Sequence, residues 1–227
     1  MKKHGGTFMS SIETMRTCPL FLSLSELDRT ALLSLLKPKK LHSGEILFYE
    51  NETMDRIYFL VHGRVKSYKV NRFDNEIFLF WQNESGLITL YSPRSEETML
   101  RYFSNVESIG DSLVAYAERD RLDALCEENR EIEHFLYKMF AERFFLLKHI
   151  ISRDLVYDSA AKVANMIVTK LDDFNAYKKQ EIAYMLNIQP ETLSRILTKI
   201  KREGIIEEKG GVTTIKDRDK LRAIYET

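Results

Sequence analysis

The feature that most constrains this chain is a stretch over 131–157 with no glycine or proline, in which apolar residues recur at helical intervals. Ile132, Phe135, Leu136, Met139, Phe140, Leu146, Leu147 and Ile150 trace a broad stripe interrupted by Arg143. A helix of that length runs about 40 Å. A small domain cannot cover so long a stripe, so part of it calls for another partner. A second copy of the same helix is the economical choice. Full coverage by the chain's own domain is the alternative. On the first reading Ile132, Phe135, Leu136, Met139, Arg143, Leu146, Leu147 and Ile150 form the dimerisation face.

What flanks that helix differs in kind. From about 39 to 110 the pattern is strands and turns: Ile46-Leu47-Phe48-Tyr49, Ile57-Tyr58-Phe59-Leu60-Val61 and Ile77-Phe78-Leu79-Phe80-Trp81 are short β-branched and aromatic runs. They are separated by polar turn segments, which suggests a small antiparallel barrel or roll. A helix over 24–36 precedes them, with Ser25 as its N-cap. Residues 1–18 read as a loose N-terminal arm. The expected domains are therefore an arm over 1–18, a roll over 19–130, a dimerisation helix over 131–157, and a C-terminal domain over 158–227.

The C-terminal domain has its own pattern. A helix over 160–171 leads through a loop to a second helix over 179–186, a turn at Asn187, and a third helix over 190–203. Gly204 ends the third helix. Two short strands around Gly210-Gly211 follow. This is the outline of a winged helix-turn-helix, and the overall class is α+β.

On a helical wheel, Leu193, Ile196, Leu197 and Ile200 share the core face, while Glu191, Arg195, Thr198 and Arg202 share the opposite one, flanked by Ser194 and Lys199. Arginine can grip guanine through two acceptors, glutamate can accept from a cytosine amino group, and serine and threonine can meet bases or phosphates. Pro190 in the first turn leaves N-terminal amides free for a phosphate. Lys178, Lys179, Gln180, Gln189 and Thr192 lie at the two helix starts, placed with Thr198, Lys199 and Arg202 to touch the DNA backbone. The whole chain has zero formal charge, so bulk electrostatics does not direct it to nucleic acid. The charge is local: 175–204 carries six Lys and Arg against three Asp and Glu, a net of +3.

Other classes are read against. There is no apolar run long enough for a bilayer and no signal-peptide core, so the chain is expected in the cytoplasm, away from membranes. Cys18 and Cys126 form no metal-binding spacing and read as packing residues of a reducing compartment. No nucleophile–base pair, metal cluster or phosphate loop points to an enzyme.

These residues together resemble the cyclic-AMP receptor/fumarate-nitrate regulator (CRP/FNR) family of bacterial transcription factors. The resemblance runs from about Pro19 to Ile215. It is carried by PLFLSLSELDRTALLSLL, by SGEILFYENETMDRIYFLVHGRVKSYKV with Gly44-Glu45 and Gly63 at turn positions, and most specifically by KKQEIAYMLNIQPETLSRILTKIKREGII. It implies a homodimer with a cyclic-nucleotide-binding-like β-roll, a hinge near Asp158, a winged helix on a palindromic double-stranded DNA operator, and RNA polymerase as a further partner. Within the motif, Glu191, Ser194 and Arg195 match the base-reading triad of the fumarate-nitrate branch, Glu-x-x-Ser-Arg, which implies TTGA half-sites. Lys178 stands where the family has threonine, and Asn187 where it has glycine.

The resemblance also locates the effector. Cyclic-nucleotide cassettes in the family open with Gly-Glu and continue to Arg-Ser. Here Leu90-Tyr91 stands at the first position and Arg94-Ser95 at the second, which argues against cyclic AMP. The four cysteines of the iron–sulfur branch are absent. The effector pocket is expected around Phe78, Phe80, Leu87, Leu90, Tyr91 and Arg94. The analogy with relatives that govern nitrosative stress implies heme-mediated nitric oxide sensing, with His42, His62, His134 and His149 as candidate axial ligands. The alternative to a DNA-binding regulator is a heme or small-ligand sensor whose helix-turn-helix is vestigial.

Overall fold

The computed structural model describes residues 10–93 and 100–226. The chain forms two compact units, Met1–Glu76 with Phe80–Phe145, and Ile77–Leu79 with Leu146–Thr227.

The first unit begins with helices α1 (Ser11–Arg16), α2 (Pro19–Leu22) and α3 (Glu26–Leu35). Within the expected loose arm, Ser11–Arg16 are helical, because local chemistry starts a helix at Ser10. The Ser10 hydroxyl accepts from the Glu13 amide at 3.2 Å and the Glu13 carboxylate accepts from the Ser10 amide at 2.7 Å, a reciprocal capping box. Met15 and Cys18 are then buried in the core. Helix α3 starts as expected, with Ser25 accepting from the Asp28 amide.

Among the described residues eight strands follow: β1 (Lys37–Leu41), β2 (Ile46–Phe48), β3 (Arg56–His62), β4 (Val65–Val70), β5 (Glu76–Gln82), β6 (Gly86–Leu87), β7 (Asn105–Ser108) and β8 (Ser112–Glu118). They make two sheets, ordered β1-β8-β3-β6 and β2-β7-β4-β5. Ile57, Phe59 and Val114 from one sheet and Phe48, Val65 and Val106 from the other join a single buried cluster, which is the antiparallel roll the sequence predicts. Any side chain at Gly63, in the turn between β3 and β4, would be strained. Its φ is +99°, and a Cβ there would stand 2.4 Å from the Ser112 hydroxyl.

Helix α4 (Arg119–Glu128) and helix α5 (Arg130–Ile151) come next, and a π-helical turn (Ser152–Val156) continues α5. The side chain of Asn129 caps the start of α5 by accepting from the Glu131 and Ile132 amides at 3.0 and 3.1 Å. The long helix is thus present, but the assignment of its faces needs correction. Ile132, Phe135, Leu136 and Met139 belong to the roll's own core, and Arg143 is buried there too, so this stripe is not available to a second copy. Leu146 and Leu147 are half-buried and Ile150 is buried. The large side chains left exposed on α5 are Tyr137, Phe144, Phe145 and Ile151.

The second unit holds α6 (Ser159–Thr169), α7 (Leu171–Ala176), α8 (Lys179–Met185), α9 (Pro190–Arg202), β9 (Ile206–Lys209), β10 (Val212–Ile215) and α10 (Arg218–Arg222). Asp158 is the N-cap of α6, accepting from the Ala161 amide at 2.8 Å. The loop expected after α6 is instead the short α7: two acids favour its first turn and Phe174 is buried beneath it. Val163, Ile167, Phe174, Ile182, Leu193, Leu197, Ile200, Ile206 and Leu221 form a core separate from that of the roll.

Candidate nucleic-acid interface and effector region

Helices α8 and α9 are joined at Asn187, which has a left-handed φ of 52°. Asparagine tolerates that conformation better than any other non-glycine residue, so the departure from glycine keeps the turn. The Asn187 side chain also accepts from the Phe78 amide at 3.0 Å and donates to the Phe78 carbonyl at 2.9 Å.

The buried stripe of α9 is apolar throughout: Leu193, Leu197 and Ile200 are buried and Ile196 is half-buried. Its opposite face carries Glu191, Ser194, Arg195, Thr198, Lys199 and Arg202, all exposed, and these six side chains line one shallow surface. Among the described residues, the side chains of Glu191 and Arg195 have no hydrogen-bond or ion-pair partner, so both remain available to an external ligand. The Thr198 hydroxyl is committed to the Ser194 carbonyl at 2.8 Å. Gln189 is the N-cap of α9 but its side chain makes no capping bond, and Pro190 follows it, so no side chain covers the first amides.

The residues expected at the DNA backbone divide. Lys178 and Gln180 are exposed at the start of α8, where the Lys178 amide donates to Glu181 at 2.9 Å. Thr192 is half-buried. Lys179 is engaged elsewhere: its ammonium pairs with Glu208 of β9 at 3.1 Å, and Lys201 reaches the same carboxylate at 3.4 Å. The hydrogen bond from Lys179 is the main reason the Glu208 carboxyl titrates below its ordinary range. This tie fixes the wing to α8 and α9. The wing turns through Gly210 and Gly211, both at positive φ, between strands paired from Val212–Lys209 to Ile215–Ile206.

The effector residues are not all brought together. Phe78 groups with the second unit, where its backbone bonds Asn187. Phe80, Leu87, Leu90 and Tyr91 are in the first unit, and Arg94 lies outside the described residues. Tyr91 is 1% exposed and its hydroxyl donates to Asp123 at 2.5 Å. Burial, then that bond, pushes its phenol well above the usual range. Tyr91 is thus a neutral, internally bonded phenol.

Sequence reasoning assigned Arg143 to a dimer and missed its place in this region. Its Nε donates to the Leu87 carbonyl at 2.6 Å, and its Nη2 bonds the Leu87 carbonyl and the Gln82 side-chain oxygen. An arginine inside an otherwise apolar stripe was the available signal. The heme ligands do not fit. His42, His62, His134 and His149 are all exposed, so none stands in an apolar pocket that could enclose a porphyrin. No group of three or more His, Cys, Asp or Glu among the described residues could hold a metal ion. No helix among them is long and apolar enough to cross a membrane.

Comparison with known proteins agrees with this organisation. The cyclic nucleotide-binding domain family matches residues 38–129 and the Crp-like helix-turn-helix domain family matches residues 161–224. The CRP-like cAMP-activated global transcriptional regulator of Mycobacterium tuberculosis is 21% identical over 223 residues, covering 92% of this chain and 97% of that protein. Regulatory protein HlyX of Actinobacillus pleuropneumoniae is 20% identical over 211 residues, covering 88% and 86%. Among solved structures, a CooA mutant from Carboxydothermus hydrogenoformans superposes with a TM-score of 0.71 at 20% identity, over 92% of this chain and 95% of that one. FixK2 from Bradyrhizobium japonicum gives 0.62 at 18% identity, over 85% and 98%. These structures share its fold.

Proposed function

The chain belongs to the CRP/FNR family of transcriptional regulators, a family of regulators rather than enzymes, and from that premise we propose that it reads a palindromic operator with TTGA-like half-sites as a homodimer. The observation that carries this reading is the unpartnered Glu191 and Arg195 pair on a helix whose other face is locked in a core. Arg195 would take a guanine edge, Glu191 a cytosine amino group and Ser194 a neighbouring base or phosphate. Lys178, Gln180, Lys199 and Arg202 would hold the backbone and set the register. The net charge of the unit is small, so two copies are needed to gather enough phosphate contacts. Tyr137, Phe144 and Phe145 offer an exposed aromatic face of the kind a second α5 would cover. RNA polymerase would be the downstream partner.

The roll would control this reading through an effector other than cyclic AMP. Support comes from Tyr91, which replaces the nucleotide-binding glutamate and is turned inward to Asp123. The exposed histidines give no support to heme or nitric oxide as the signal. A nuclease footprint on DNA carrying two inverted TTGA half-sites tests the proposal. Symmetric protection of both half-sites is expected, and no protection even at low salt would overturn it.

A further inference from the structure

The long helix buries a positive charge that has no counter-charge among the described residues. Arg143 is only 9% exposed, inside the first unit against β5 and β6. Its bonding partners are the Leu87 carbonyl and the Gln82 amide oxygen, and its guanidinium lies 5.1 Å from the Phe80 ring centroid. All three are neutral. Among the described residues no carboxylate comes within ion-pair distance, and Nη1 has no hydrogen-bond partner. The acid that acts on it most is Glu142, its exposed neighbour in sequence.

Such an arrangement is costly. Buried charges are as a rule paired, and an arginine is almost never fully buried without a partner. Desolvation lowers the Arg143 pKa to about 10. The stripe formed by Ile132, Leu136 and Met139 would continue without cost if a leucine or methionine stood here. The neutral partners hold the Nε–Nη2 edge, which fixes the orientation of the fork and leaves the Nη1 end unused. That is the state of a receptor group oriented for a ligand it does not yet hold.

We infer that Arg143 receives the carboxylate of a small monoanionic effector with an apolar body. One guanidinium neutralises one charge, whereas a dianion would leave a net negative charge beside Phe80 and Leu87. A carboxylate meets the planar fork with two oxygens and can take the place of the Gln82 oxygen as the acceptor on Nη2. The inference rests on the reading of the roll as the sensing unit and adds the class of ligand.

Trp81, the chain's sole tryptophan, adjoins Gln82 on β5 and reports on the site. The full-length protein is titrated with octanoate and benzoate, and with cyclic AMP and inorganic phosphate as comparators, following Trp81 fluorescence and Tm. At least one monocarboxylate should give a saturable response below millimolar concentration. Arg143→Met should weaken it by roughly 30-fold or more, and Arg143→Lys, which keeps the charge but not the fork, by about tenfold. Gln82→Leu keeps Arg143 and removes one neutral acceptor, so it should tighten binding and tests the site even where Arg143→Met does not fold. Saturation by neither carboxylate, an unchanged response in Arg143→Met or in Gln82→Leu, or a response confined to cyclic AMP or phosphate would each overturn the inference. Operator footprints are run on the same samples. Protection that persists without any carboxylate binding removes this site alone. Carboxylate binding through Arg143 with no effect on protection removes effector control and leaves the site standing.

Discussion

In α9 the buried stripe is wholly apolar and the exposed face is charged; in α5 the buried stripe includes Arg143 and the exposed face carries Tyr137, Phe144 and Phe145. Both helices are amphipathic, yet α5 leaves large aromatic side chains in water among its charges and α9 leaves none. Helix α9 anchors itself with Leu193, Leu197 and Ile200 and presents unpartnered polar groups, which suits a hydrated polyanion. Helix α5 presents aromatic surface, which suits an apolar partner, and keeps one of its cations, Arg143, inside. On the proposed reading, where a charge sits relative to the core would separate a group that meets DNA from one that answers to a small molecule.

The comparison can be broken first at the cores. Leu193→Ala should cost about 3 kcal/mol and unfold the second unit, while Leu136→Ala should cost a similar amount in the first. Hydrogen exchange resolved by segment checks this, because two separate cores require the losses to stay apart. Gly63→Ala should destabilise the roll by about 2 kcal/mol, since the new methyl meets Ser112 and the backbone is left-handed; urea denaturation followed by Trp81 measures it. Phe144→Asp places a charge on the aromatic face of α5 and should weaken self-association by about 2 kcal/mol with the fold unchanged, as read by sedimentation.

The smallest effect concerns the wing. Glu208 has a folded-state pKa below its ordinary 4.5, mainly through Lys179, so its contribution is fully present above that value. It is lost as pH falls through the lower folded value. Being partly exposed, the pair should be worth about 0.5 kcal/mol or less. Lys179→Ala should shrink that acid-dependent step in the stability profile of the second unit, leaving the smaller part due to Lys201, with the neutral-pH fold intact.

Helix α9 was legible because its period and its chemistry occupy the same few residues: Leu193, Leu197 and Ile200 fix the inward face, which leaves Glu191 and Arg195 outward. The wing was legible from Gly210-Gly211. The faces of α5 were not, because a stripe that spans nearly half the wheel does not say which part its own roll will cover. Arg143 was the clue, since a dimer seam gains little from a buried cation. Strand β7, Asn105-Val106-Glu107-Ser108, lacks any run of strand-forming residues and exists through its pairing with β2 and β4. Helix α1 had its capping box in plain view at Ser10 and Glu13, but a six-residue helix has little periodicity to support it. Helix α7 reads as a loop in the sequence because Asp172-Asp173 suits both a turn and a first helical turn.

The most direct test of the central claim is the binding of the intact protein and its Arg195→Ala variant to labelled duplexes, one with inverted TTGA half-sites and one with those bases scrambled, at matched salt. If α9 reads bases, Arg195→Ala should lose about 1–3 kcal/mol on the TTGA duplex and almost nothing on the scrambled one, so the preference between them collapses. An equal loss on both duplexes, or wild-type protein that binds them alike, would contradict the assignment of this helix as the reader.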